Sequence, residues 1–471
     1  MSTISWLGLI VVLLHVAGIV AAIDAVFRAR TAQSSIAWAV LLISFPYFAL
    51  IPYFIFGSLR FGNYVKAQRN ERERLREQAD ALPWQPDFSH QATGHLPATA
   101  RLTHMPTMEG HTVRLLVNGD ATFKAIFSAI EKAQHHVIVE FFTILDDNLG
   151  EQLFERLLER AAAGVTVYFL CDGIGSHALP HSTIERLRKG GVKAYKFVTQ
   201  SGIGVNRFQV NFRNHRKLVI VDGESAFVGG HNVSDLYVGK KPPLSPWRDT
   251  HIEIQGPVID CLHYSFAEDW FWSAGELPEI HTTSHVHKGG MLCQALPTGP
   301  ADQDDICIQQ LLEIIGRAQH RLWMSTPYLV PDEAVMEALK LAVNRGVDVR
   351  IIVPARADHE IVYLASRLSV RRCIEAGMRI FRFQSGFVHQ KVWLMDDECA
   401  VIGSANLDNR SMRLNFELMV ATFDPTFAAQ VAEMLEDDFS KSKEVQQAHL
   451  DAVPKWHQIG EHIAHLFAPI L

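Results

Sequence analysis

Apolar and polar positions fall into two regimes along this chain. Near the N-terminus two runs, Ser5–Phe27 ("SWLGLIVVLLHVAGIVAAIDAVF") and Ser35–Gly57 ("SIAWAVLLISFPYFALIPYFIFG"), are almost free of charge. At about 1.5 Å per residue, helices of that length cross the hydrocarbon core of a bilayer. A short turn with Arg28 and Arg30 separates them, and Trp6, Trp38, Tyr47, Tyr53 and Phe56 are candidate interface anchors. The first run lacks a basic leader and is followed at once by the second, so it reads as a span and not as a cleaved signal. Pro46 and Pro52 would kink the second run, which leaves a re-entrant or interfacial course as the alternative. His15, mid-span, reads as a neutral residue bonded to the neighbouring helix.

Arg60–Ala81 is charged and helix-prone, and a loop-rich linker follows it. From about Gly110 a different pattern begins. Amphipathic spacing, a turn and a β-branched run succeed one another three times: "AIEKAQHHVIVEFFTI" (Ala129–Ile144), "LLERAAAGVTVYFLCD" (Leu157–Asp172) and "LRKGGVKAYKF" (Leu187–Phe197). The series recurs in "IIGRAQHRLWMSTPYL" (Ile314–Leu329), "LKLAVNRGVDVRIIVP" (Leu339–Pro354) and "IEAGMRIFRF" (Ile374–Phe383). Each triple predicts helix–strand units. The expected fold is α/β: two pseudo-symmetric domains with mainly parallel or mixed sheets, behind an N-terminal transmembrane helical hairpin. The expected boundaries are 1–58 for the hairpin, 59–109 for the charged helix and linker, 110–285 and 286–450 for the repeated domains, and 451–471 for an amphipathic tail. That tail, "WHQIGEHIAHLFAPIL", reads equally as a helix lying on a bilayer or as a packed one.

The net charge of −7 argues against a general nucleic-acid binder, which carries a basic field. Six scattered cysteines without a C-x-x-C pair fit neither a disulfide framework nor a zinc site.

The chemistry sits in "HRKLVIVD" (His215–Asp222). Its apolar run reads as a parallel strand covered on both faces, yet His215 and Lys217, two apart, share a face beside that core. One such histidine among 23 means little. A second copy changes that: "HRKLVIVDGESAFVGGHN" is matched by "HQKVWLMDDECAVIGSAN", with Lys at +2 (Lys217, Lys391), Asp at +7 (Asp222, Asp396), Gly at +14 (Gly229, Gly403) and Asn at +17 (Asn232, Asn406). Two copies suggest one shared site. There one imidazole attacks and the other protonates the leaving oxygen, while two lysines, two asparagines and the Gly230 and Ser404 positions cradle a tetrahedral anion. A phosphodiester fits this inventory. The acidic stretches "LDDN" (Leu145–Asn148) and "DQDD" (Asp302–Asp305) read as solvated loops, and the lysines can do the work of a metal, so neither metal nor cofactor is expected.

This doubled H-x-K-x4-D pattern with G-x-x-N tails resembles the phospholipase D superfamily. Within it the chain is most similar to the membrane-anchored bacterial cardiolipin synthases, through "DGIGS", "RNHRKLVIVDG", "GGHNVSDLY", "WRDTHIEIQGP", "STPYLVPDE", "HQKVWLMDD", "GSANLDNRS" and "LFAPIL" in order. The resemblance implies a catalytic set of His215, Lys217, Asp222, His389, Lys391 and Asp396, in which the two aspartates are mainly structural. It implies that Asn232 and Asn406 contact phosphate, and that Asp249 and Glu417 orient the histidines. It also implies phosphatidyl transfer from one phosphatidylglycerol to another, giving cardiolipin and glycerol through a phosphohistidine. A hydrolytic phospholipase D or other phosphodiesterase, or a non-catalytic lipid-binding scaffold, are the alternatives, and a homo-oligomer is compatible with the sequence. The expected partners are membrane lipids, and the expected location is the bacterial inner membrane as a multi-pass protein.

Basic residues set the expected topology. None precedes the first run, whereas Arg60, Lys66, Arg69, Arg72, Arg74 and Arg76 follow the second. Two full spans would place both termini in the cytoplasm, and a re-entrant second run would put the N-terminus outside.

Overall fold

A computed structural model describes residues 3–28, 32–56, 91–92, 94–198, 212–280, 289–302 and 304–468. It divides into a small unit, Met1–Arg74 with Thr199–Val210, and a large one, Leu75–Val198 with Asn211–Leu471. The charged stretch Arg60–Ala81 lies outside the described residues.

In the small unit, α1 (Thr3–Arg28) contains one segment, Gly8–Phe27, long and apolar enough to cross a membrane. The second run is not one helix. It forms α2 (Ala32–Ser44) and α3 (Pro46–Phe56), which meet at Phe45. Pro46 has no N–H to continue the ladder, and its ring excludes the preceding helical turn. α2 descends antiparallel to α1: the Ser35 hydroxyl donates to the Ala25 carbonyl, and Leu42 lies against Gly18. A Cβ on Gly18 would stand 2.4 Å from the Leu42 carbonyl oxygen and 2.8 Å from the Pro46 Cβ, so only glycine admits the turn there.

Then α3 doubles back. Tyr47 lies beside His15, Tyr53 returns to within 5.1 Å of the Trp38 ring, and its hydroxyl donates to Asp24 Oδ2 at 2.7 Å. Tyr53 is therefore buried among the three helices and is not an interface anchor. The His15 Nδ1–H donates to the Val11 carbonyl of its own helix, 2.9 Å away, and not to the neighbouring helix.

The large unit is mixed α/β. The three repeated helix–strand pairs occur in both halves: Asn118–Lys132 with His136–Phe141, Asn148–Ala162 with Thr166–Asp172, and His181–Lys189 with Lys193–Phe197. Their counterparts are Ile306–Arg317 with Arg321–Ser325, Glu333–Asn344 with Asp348–Pro354, and Glu360–Glu375 with Arg379–Phe383. Each half lays the three strands side by side in parallel, then continues antiparallel through the motif strands. In the first half the order is 193–197, 166–172, 136–141, 217–221, 225–229, 250–255, 107–117. The second half mirrors it: 379–383, 348–354, 321–325, 392–395, 399–403, 415–423, 291–298. The two ladders join where 107–117 pairs with 291–298. Thus Lys217–Val221 is antiparallel to both neighbours, not parallel as its apolar run suggests. A continuous apolar run reports two covered faces and says nothing about the direction of adjacent strands.

Asp222 and Asp396 end the motif strands in the left-handed region, at φ 54° and 52°, a conformation that Asp tolerates better than most residues. Each carboxylate folds back onto three successive backbone amides that open the neighbouring strand. Asp222 accepts from Gln134, His135 and His136 at 2.7–2.9 Å, and Asp396 from Gln319, His320 and Arg321 at 2.8–3.0 Å. Asp222→Ala removes a charged acceptor of three amides and forces alanine into a left-handed turn. The expected loss is about 3 kcal/mol, since bonds to charged groups contribute roughly 1.5–3 kcal/mol each and are only partly replaced by water. Denaturant unfolding of the purified protein checks this; a fully stable but inactive variant would overturn it.

Candidate active site

The two motif histidines stand where the halves exchange strands. Arg213–Asn214 pairs in parallel with Asn415–Phe416, and the His215 N–H donates to the Phe416 carbonyl at 2.9 Å. Reciprocally, Phe387–Val388 pairs in parallel with Trp247–Arg248, and the His389 N–H donates to the Arg248 carbonyl at 2.8 Å. In each docked strand the next residue is a carboxylate. His215 Nδ1 lies 2.9 and 3.0 Å from the two Glu417 oxygens, and His389 Nδ1 lies 2.7 Å from Asp249 Oδ2. Each half therefore supplies the carboxylate for the other half's histidine. A carboxylate only accepts, so Nδ1 carries the proton in each neutral ring and Nε2 keeps its lone pair.

Both carboxylates are fully buried and held from behind. Glu417 accepts the Ser404 hydroxyl at 2.6 Å and the Asn415 side-chain amide at 3.0 Å, and Asp249 accepts the Thr250 N–H at 2.8 Å. Burial would raise Glu417, but His215, Lys217 and Ser404 outweigh it and hold the carboxyl below its usual range. Burial is likewise overcome at Asp249 by His231, His389 and Lys391. Burial drives the imidazoles the other way, His215 to about 3 and His389 to about 4, with Glu417 and Asp249 opposing it.

Lys217 Nζ donates to the His215 carbonyl at 2.6 Å, and Lys391 Nζ donates to the His389 carbonyl while lying 3.1 Å from His389 Nε2. Burial lowers Lys217 to about 7, with Lys391 lowering it further, and lowers Lys391 to about 8. An anion between the two lysines would raise all four basic groups. Among the described residues no group of three or more His, Cys, Asp or Glu could hold a metal ion.

The remaining sequence-predicted positions divide. Asn232 spends its carbonyl oxygen on the Thr143 N–H at 3.1 Å, leaving its NH2 as donor, and Asn406 turns its NH2 toward Asp408 at 3.2 Å. Gly230 and Ser404, expected as phosphate contacts, have their backbone N–H groups bonded in the sheet to the Thr250 and Leu418 carbonyls. Both instead serve the carboxylates. A Cβ on Gly230 would stand 2.1 Å from Asp249 Oδ1, and the Ser404 hydroxyl is committed to Glu417. Asp222 and Asp396 sit at the far ends of the motif strands, bonded to the amides described above and not to the His–Lys cluster. The acidic loop stretches have structural partners: Asp147 caps Asn148–Ala162 and accepts from Ser234, and Asp305 pairs with Arg413.

Sequence reasoning missed the surroundings of the histidines. Phe142 packs edge-on at 5.0 Å from the His215 ring, and Trp247 lies 5.0 Å from His389. Arg213 and Arg410 are half-buried and within each other's field, with Asp172 and Asp408 opposing. Burial, then Arg213, lowers Arg410 to about 10, and burial lowers Arg213. Arg213 was findable, since it lies two positions before His215 in an extended stretch. Behind the site, Arg216, next to His215, pairs with Asp269 at 2.6 Å, and Arg248, in the strand that docks His389, pairs with Asp438 at 2.8 Å, each partner lying on a long helix.

Comparison with known proteins converges on one family. A family model described as "Cardiolipin synthase, PLD-like domain" matches residues 126–241 and 311–439, and one described as "Phospholipase_D-nuclease N-terminal" matches 16–58. Cardiolipin synthase A of Pseudomonas aeruginosa is 51% identical over 478 aligned residues, covering 100% of this chain and 97% of that protein. The protein of the same name in Pseudomonas fluorescens is 50% identical, covering 98% of each. The fold is shared with phosphatidylserine synthase of Haemophilus influenzae, at TM-score 0.61 and 16% identity over 79% of this chain and all of that one. The chain belongs to the cardiolipin synthase family of the phospholipase D superfamily.

Proposed function

We propose that the chain joins two phosphatidylglycerol molecules at the His215–His389 site, through a phosphohistidine, releasing glycerol. The observation that carries this reading is the pair of exchanged histidine–carboxylate contacts with a lysine beside each ring. His215 Nε2 attacks phosphorus, the P–N bond forms, and the bond to the glycerol oxygen breaks as His389, protonated at Nε2 when the phosphodiester anion is bound, delivers that Nε2 proton to the leaving oxygen. The hydroxyl of the second phosphatidylglycerol then loses its proton to His389 and attacks phosphorus, and the P–N bond breaks. Lys217 and Lys391 stabilise the charge of the five-coordinate state, and Glu417 and Asp249 stabilise whichever ring is cationic. The choice of His215 as nucleophile follows the family resemblance. Phosphatidylglycerol alone in proteoliposomes should yield cardiolipin and glycerol in equal amounts, and trapped phosphate should map to the His215 peptide. Phosphatidic acid as the main product would mean hydrolysis instead, and label on His389 would reverse the roles.

The lysines carry a pH prediction. Their lowered values mean that charge is present at lower pH and lost as pH rises through about 7 to 8. The kcat/KM for phosphatidylglycerol should therefore fall across that window on the alkaline side. Lys217→Met should lower kcat at least about a hundredfold, the scale for losing one strong stabilising donor, and Lys217→Arg should move the alkaline limb upward. An unchanged limb in Lys217→Arg would remove Lys217 from this role.

We also propose that the chain crosses the inner membrane once, with α2 and α3 re-entrant and the catalytic unit cytoplasmic. The fold-back of α3 beside Asp24 supports this reading, because the chain then leaves the helices at the Arg28 end. Arg28, Arg30 and the basic residues from Arg60 to Arg76 would share one side, as positive-inside placement requires. Single cysteines introduced at Ser2, Ala32 and Ser440 test it with an impermeant thiol reagent on intact cells; the six native cysteines are buried. Labelling is expected at position 2 alone. Labelling at 32 would restore two full spans, and labelling at 440 would put the catalytic unit outside.

A further inference from the structure

The C-terminal helix Lys455–His465 is amphipathic in the reverse sense to a packed surface helix. Its inward face carries small or polar groups: Ala464 and Ala468 pack against Val330 and Ala365, and the buried Glu461 accepts from Arg367 Nε at 2.6 Å. Its outward face carries Trp456, Ile459, Ile463, Leu466 and Phe467, spaced on one side of the helix and the turn that follows it. All are exposed, Trp456 at 69% and Leu466 at 77%. In the large unit, five of the nine large hydrophobics exposed among the described residues stand on this face. A soluble surface buries such residues, and a contiguous exposed patch marks an interaction site.

The face has a definite position. Ala464 and Ala468 meet Ala365, Glu461 meets Arg367, and the Leu450 carbonyl meets Arg371, so the helix runs antiparallel to Glu360–Glu375. Leu466 and Phe467 therefore point toward the end where Ile361 is also exposed. Beside Ile361, Val362 and Tyr363 line a pocket with Tyr328, Asp358 and Arg382. The Tyr328 hydroxyl donates to Asp358, and the Asp358 charge reaches Lys391. The helix that carries the apolar face thus meets, through Glu461 and Arg367, the wall of this pocket.

We propose that this face docks into the bilayer surface and sets the side from which lipid enters the site. The occupant is a membrane and not a protein groove, for three reasons. The same chain carries a membrane-spanning helix, α1. The face is one helix wide with Trp at one end, as interfacial helices are. Lys455 and His462 flank it, suited to anionic headgroups. The proposal rests on the reading of the chain as an enzyme of membrane phosphodiesters.

The test uses the full chain in phosphatidylglycerol vesicles and, separately, monomeric short-chain phosphatidylglycerol. For Ile459→Glu/Ile463→Glu, the ratio of vesicle to monomer turnover should fall at least about tenfold, the effect of losing part of two isoleucine insertions. An unchanged ratio with normal unfolding behaviour overturns the proposal. Wild-type protein inactive on both substrates would instead overturn the enzymatic reading. An environment-sensitive dye on Ile463→Cys separates the occupants in the same vesicles. Quenching by brominated lipid is expected. No quenching, or a shift that depends on protein concentration and not on lipid, would assign the face to solvent or to a second copy of the chain.

Discussion

The arrangement of the large unit depends on two buried histidine–carboxylate contacts that cross between its halves. An ionised carboxylate removed from water is destabilised by several kcal/mol unless it is paired and hydrogen-bonded. Glu417 gains a paired cation from His215 and Lys217 of the first half, beside the Ser404 and Asn415 donors of its own, and Asp249 from His389 and Lys391 of the second, beside His231 of its own. The site and the association of the halves are therefore the same interaction, reinforced by the two short parallel pairings that place the histidine backbones.

Duplication explains the symmetry of this solution, and the departures from symmetry show where each copy has its own local constraint. The shorter Asp249 is approached by Gly230, whose missing side chain leaves it room, whereas Glu417 is tied by the Ser404 hydroxyl. His231 and His251, 3.0 Å apart through Nδ1, stand in the first half where the second has Ala405 and Met419. Both copies keep the imidazole and the ammonium, and the residues around them differ.

Burial sets the working state of the site. It pushes both rings toward the neutral form and weakens both ammoniums, while the carboxylates stay ionised. Neutral Nε2 lone pairs are what a nucleophile needs, and weakened cations gain most when an anion arrives. An anion placed between the lysines would restore that charge.

Periodicity alone identified the six helix–strand pairs, because each repeat spends its apolar residues on one helical stripe or one continuous strand. The doubled spacing of His, Lys and Asn pointed to a phosphodiester site, because those residue types at 0, +2 and +17 have no packing reason to recur together, whereas the Asp at +7 recurs for the backbone amides it holds. The long apolar run at the N-terminus likewise announced a helix long and apolar enough to cross a membrane. Other features are non-local. Strand direction was invisible, since a buried strand looks the same beside parallel or antiparallel neighbours. The exchange of carboxylates between halves was invisible too: Glu417 lies 202 positions from His215, and no local pattern encodes which half it will face. Gly230 and Ser404 read as anion contacts until the tertiary structure bonded their amides into the sheet and turned them toward the carboxylates. The second apolar run had the composition of a span, but Pro46 and the Gly18 contact fold it back on itself. Composition and period determined which elements form and which side chains recur in both copies; packing across the two halves decided which group faces which, because desolvated charge is stabilised only by the partner that the fold brings to it.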